Sequence, residues 1–164
     1  AGIVHLTAPA LRWRISPAKR GAAVFSILGV LMSVYESQRS ESEIGFYHRA
    51  VEIRAKVTKL VRSEKVVPKS SRFIFAVPMA ETARSMVCNI VTGMEFFPNS
   101  EENVAQRKRY YTLAIADCRM LQEDMKCLIE VTGNVRPSAF GEVTAMIDDE
   151  IRELKAKRKN VRVR

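Results

Sequence analysis

The side chains with chemistry to offer in this chain are its arginines and lysines. Between positions 49 and 72 there are eight, at 49, 54, 56, 59, 62, 65, 69 and 72, against two acids, Glu52 and Glu64. A second group is the triplet Arg107-Lys108-Arg109. A third closes the chain, where Lys155 to Arg164 holds six basic residues and no acid. Cations grouped in this way suit phosphate contact without base readout, with an affinity that falls as salt rises. The candidates for contact with phosphate or a partner are Arg49, Lys56, Lys59, Arg62, Lys69, Arg72, Arg107, Lys108 and Arg109. A solvated helix face accounts for any one group alone. Three groups on one small chain tilt the reading towards a polyanion.

Other chemistry is hard to assemble. Only His5 and His48 are present, and neither belongs to the Glu-x-x-His pair that a di-iron bundle requires. His48 and Glu52 stand one helical turn apart, a spacing that surface residues share. Two histidines do not furnish a convincing Ser–His–acid or Cys–His set. No glycine-rich phosphate loop or dinucleotide fingerprint occurs. Asp117, Asp124, Asp148, Asp149 and Glu150 are flanked by Lys or Arg and read as solvated faces. Cys88, Cys118 and Cys127 include no C-x-x-C pair, and Cys88 and Cys118 read as small core residues in a reducing compartment. The expectation is a protein that is not an enzyme and needs no metal or cofactor.

The elements that must position these cations are helices. From Ser100 to Glu130, Val104, Tyr111, Ala114, Cys118, Leu121, Met125 and Leu128 fall on one line, which predicts a long helix packed lengthwise on others. Ser100 is its expected N-cap and Gly133 its expected left-handed stop. Arg107 and Arg109 are placed off this seam and exposed. An earlier helix is predicted from about Ser42 to Glu64, with Ile44, Tyr47, Val51, Val57, Leu60 and Val61 inside and a slip of phase near Arg54. The next spans about Ser71 to Phe96 through Ala76, Met79, Ala83, Met86, Ile90 and Met94. Pro78 must either kink it or move its start to about Val77. The last follows Pro137, with Phe140, Val143, Ile147, Ile151 and Leu154 inside. Four long helices on short connections predict an all-α, up-down-up-down four-helix bundle over residues 44–154. Tyr110, Phe140, Phe73 and Phe75 exceed what one small bundle easily buries, which suggests a homo-oligomer.

Composition agrees. The chain has 164 residues, 47% hydrophobic and 27% charged, with a net charge of +9. Residues 1–31 stand apart. They carry four basic residues and no acid, then an apolar run from Ala22 to Val34 that is short for a membrane span. They are read as an over-extended start, with Met32 as the native N-terminus and residues 32–43 as a polar lead-in. Without them the charge is +5, still basic. Residues 155–164 are read as a basic tail.

Three stretches resemble a known family. Pro68-Lys69-Ser70-Ser71-Arg72-Phe73 is similar to the "FPK-S-RF" signature of small four-helix-bundle proteins. These are the accessory variability determinant (Avd) proteins of diversity-generating retroelements and the proteins encoded in rRNA intervening sequences. Ser85-Met86-Val87-Cys88-Asn89-Ile90-Val91-Thr92-Gly93 resembles the S-I-x-x-N-I-x-E-G pattern of the second group, with Thr92 where Glu is usual. Arg107 to Leu121 resembles the family's third helix. The resemblance implies a homopentamer with a positive surface, and the expected location is cytoplasmic. In the first branch it implies binding to nucleic acid and to a reverse transcriptase. In the second it implies a structural or protein-interaction bundle. No membrane role is expected.

Overall fold

The computed structural model describes residues 41–133 and 135–163, with side chains from Gly45 onward. The expectations for residues 1–31, for the lead-in as far as residue 40 and for the Ile44 side chain lie outside the described residues. Four long helices make up the described chain: α1 Glu41–Arg62, α2 Val77–Glu95, α3 Glu101–Thr132 and α4 Gly141–Asn160. Single 3-10 turns lie at Lys69–Ser71 and Pro137–Ala139, and a π-helical turn at Arg72–Ala76. No strand occurs among the described residues.

Each helix packs on the next, and α4 closes back on α1. The connection from α2 to α3 is residues 96–100, which reach roughly 17 Å when fully extended. At 19 residues α2 is roughly 28 Å long, so the chain cannot return to its start and must reverse. The connection from α1 to α2 is coiled into turns, with Val66 and Val67 N–H both donating to the Ser63 carbonyl, and it too reverses the chain. The result is a helical bundle around one core.

The 32 residues of α3 extend about 48 Å and span the bundle. Its start is capped as the sequence predicts, the Ser100 hydroxyl accepting from Asn103 N–H at 3.2 Å. Its end is Gly133 at φ 60°, a left-handed stop whose N–H donates to the Ile129 carbonyl at 3.1 Å. The α2 seam is buried as expected, and the start of α2 falls at Val77. The reason is Pro78. It has no N–H for the Ile74 carbonyl, and its ring would meet that carbonyl in an α-turn. The backbone widens instead, and Val77 N–H donates to the Arg72 carbonyl five residues back.

The inner face of α1 differs from the predicted one. Phe46, Ala50, Ile53, Val57 and Val61 are buried, whereas Val51 is exposed and Tyr47 only half-buried. The slip of phase near Arg54 in the predicted seam marks the choice of the wrong stripe; the observed one runs at intervals of four, three, four and four without a break. The basic end of α4 also differs from a tail. The helix continues to Asn160, Lys157 Nζ sits 5.4 Å from the Phe46 ring centre, and Arg158 Nη1 donates to Thr112 Oγ1 at 3.0 Å. No helix among the described residues is long and apolar enough to cross a membrane.

Candidate nucleic-acid interface

The corrected α1 stripe decides which of its cations face outwards. With 46, 50, 53, 57 and 61 turned inwards, Arg54, Lys59 and Arg62 are exposed, and so is Lys65 in the following turn. None of these four makes an ion pair among the described residues. Two other candidates on this helix are already engaged. Arg49 Nη1 donates to Glu153 Oε2 at 2.6 Å and lies 3.6 Å from Glu150 Oε2. Lys56 bridges Glu52 at 3.1 Å and Glu142. Both act first as links from α1 to α4, Arg49 chiefly to Glu153 and Lys56 to Glu142 at the start of that helix. Lys69 and Arg72 each stand 3.4 Å from Glu64, a loose contact at the surface that leaves both cations open to a competing anion.

Arg107 corrects an expectation. It is buried, only 7% exposed, and its Nε donates to the Tyr111 hydroxyl at 3.0 Å with the guanidinium 5.7 Å from that ring. The signal was in the spacing. The step from Val104 to Tyr111 is seven, and position 107 completes the alternation of three and four. Arg109 is exposed and unpaired among the described residues, and Lys108 is half-buried. Tyr110 stacks on Phe96, with centroids 5.6 Å apart and rings inclined by 15°, so it is part of the α2–α3 packing rather than a free platform for a base.

A cleft of about 680 Å³ lies between α1, the π-turn and α2. Arg54, Arg62, Arg72 and Arg84 border it, and Glu81 is the one acid on its wall. Arg84 lies outside every basic cluster of the sequence. It stands alone between Ala83 and Ser85, and only the packing of α2 on α1 brings it opposite Arg54.

Glu150 also corrects an expectation. It is fully buried, and neither carboxylate oxygen has a hydrogen-bond partner. Burial pushes its pKa up to about 8; Arg49 pulls the other way, and Glu153 adds to the rise. The carboxyl is therefore mostly protonated at neutral pH. Its seam was visible too, since 143, 147, 150 and 154 alternate by four and three. Cys118, buried on α3, is pushed up to about 12 by burial and then by Glu150, and its Sγ lies 3.3 Å from Met86 Sδ. It stays a thiol and packs as an apolar group. Cys88, expected in the core, is exposed, as is Cys127.

The Ser85–Gly93 stretch carries structural duties. Asn89 Nδ2 donates to Asp117 Oδ2 at 2.7 Å and so ties α2 to α3. Gly93 lets the helices close, because a Cβ there would stand 2.9 Å from Tyr111 Cε1. No group of three His, Cys, Asp or Glu is placed to hold a metal ion among the described residues. No family model, curated protein or solved structure matches the chain.

Proposed function

We propose that this chain is a non-catalytic nucleic-acid-binding protein that serves as an accessory to a reverse transcriptase, of the kind found in diversity-generating retroelements. The observation that carries the nucleic-acid part is the uncommitted positive charge on one side of α1 and its turn, where Arg54, Lys59, Arg62 and Lys65 are exposed with no acid partner among the described residues. Lys69 and Arg72 continue it with loosely held charge, and Arg109 adds a further exposed cation. Such a surface takes up phosphates through counterion release and needs no particular base. The polymerase partner and a homopentameric assembly rest on the family resemblance of residues 68–73 and 85–93.

The test is binding of the full chain to structured RNA and duplex DNA over a salt series. The expected result is measurable binding at low salt and a steep fall in affinity as salt rises. Absence of binding at low salt would sink the nucleic-acid reading. A second reading, a structural module of the intervening-sequence type, draws on Phe73, Ile74 and Phe97, which expose 87%, 68% and 64% of their surfaces and suit protein contact. It gains if nucleic acid does not bind.

A further inference from the structure

The geometry points to the cleft between α1 and α2 as a groove that holds a single-stranded polynucleotide, its phosphates on Arg54, Arg84, Arg62 and Arg72 and its sugars or bases on the apolar floor. This rests on the nucleic-acid reading above and narrows it to one site and one form of ligand.

Charge comes first. Arg54, Arg62 and Arg84 have no acid partner among the described residues. Arg72 has only the 3.4 Å contact with Glu64, and its Nε is buried without an acceptor. A buried donor left unmet is unfavourable, so the Arg72 side chain gains by turning its guanidinium towards a phosphate oxygen in the cleft. Four guanidiniums against Glu81 give the cleft a strongly positive potential, focused by its low-dielectric walls.

Spacing then selects the ligand. Arg54 and Arg62 are eight residues apart on one helix, about 12 Å at 1.5 Å per residue. Arg72 lies beside Glu64, just past the Arg62 end, and Arg84, twelve residues further on, borders the same cleft as Arg54. A ligand that carries phosphates in series can meet the guanidiniums at both ends of the cleft at once through charge-assisted hydrogen bonds. At about 680 Å³ the cleft has the size of a small-molecule site, room for part of one strand but not for a duplex. The floor is Val61, Ala76, Val77 and Ala80, small apolar side chains suited to a ribose or the face of a base. Phe73 follows Arg72 directly and is almost wholly exposed, so it can stack on a base at that end.

The test is fluorescence anisotropy of the full chain with 12-nucleotide single strands of RNA and of DNA and with the matching duplexes. Arg54→Ala/Arg84→Ala is compared with Arg119→Ala/Arg136→Ala, which removes equal exposed charge outside the cleft and outside the basic surface of α1. The expected result is single-strand affinity above duplex affinity, lost at least tenfold in the cleft variant and much less in the other. The salt slope should fall by about 1.4, two phosphates at about 0.7 each. Ala80→Leu, which fills the floor without changing charge, should also weaken strand binding while the helical circular dichroism is kept. Equal losses in the two double variants, duplex binding as tight as single-strand binding, or undiminished binding by Ala80→Leu would overturn the groove while leaving general nucleic-acid binding standing. A wild-type chain that binds neither form would remove both.

Discussion

Glu150 and Arg107 occupy core positions with polar side chains, and they meet that situation differently. Arg107 donates its Nε to the Tyr111 hydroxyl. Glu150, with neither oxygen hydrogen-bonded, takes up a proton. Its folded pKa of about 8 is above the ordinary 4.5, so between those values the folded chain holds a proton that the unfolded chain has released. Stability from this group is therefore highest below about pH 4.5 and is lost as pH rises to about 8. Glu150→Gln mimics the protonated form. It is expected to match the wild type at about pH 4 and to exceed it at about pH 8.5 by a few kcal/mol, at about 1.4 kcal/mol per pKa unit. Thermal melts at the two pH values check this; an equal effect at both would show that Glu150 does not titrate in that range. Arg49, whose main bond is to Glu153, does not offset the burial of Glu150.

Among the elements, α2 and α3 approach closely at Gly93, which has no side chain to hold them apart. Two effects oppose each other at that position. Alanine gains about 1 kcal/mol in helix propensity over glycine. Its Cβ, however, would stand 2.9 Å from Tyr111 Cε1 and 3.2 Å from Tyr110 Cβ. Tyr111 cannot yield, because it is buried edge-on against Phe46 at 6.0 Å and held by Arg107 on its hydroxyl. Overpacking costs about 1–3 kcal/mol, so the clash outweighs the gain. Gly93→Ala is expected to lower Tm by several degrees, and a Tm at or above wild type would mean that the helices part freely. The start of α2 shows the same coupling of residue to element. Pro78 sets the π-turn, and the π-turn carries Arg72 to the mouth of the cleft.

At the scale of the whole molecule, the bundle closes on itself through α1 and α4 and still leaves large apolar side chains outside. Phe73 and Ile74 sit on the π-turn, and Phe97 on the turn into α3. Association of copies through such surfaces is the expectation, and the family resemblance sets the number at five. Native mass spectrometry of the full chain should give a species of five times the 18.5 kDa protomer, and a monomer at micromolar concentration would remove the pentamer. The same surfaces matter for binding, because a homopentamer would present five arginine clefts and raise avidity for a long strand.

Helix existence, order and ends were legible in the sequence because they depend on local chemistry. The Ser100 cap, the Gly133 stop and the Pro78 boundary act within a turn of where they stand, and the seams of α2, α3 and α4 repeat strongly enough to be counted. The candidate site was legible only in part. That α1 is basic follows from composition. Which of its cations are free does not, since Arg49 and Lys56 are claimed by acids some ninety to a hundred positions away in the chain, Glu153 and Glu142. The burial of Arg107 and Glu150 was missed because a charged residue on a seam was assumed to lie beside it. The arginine cleft needed tertiary structure altogether. Arg84 belongs to no cluster along the chain, and only the packing of α2 on α1 places it across from Arg54, because side chains meet through space while sequence patterns register neighbours along one helix.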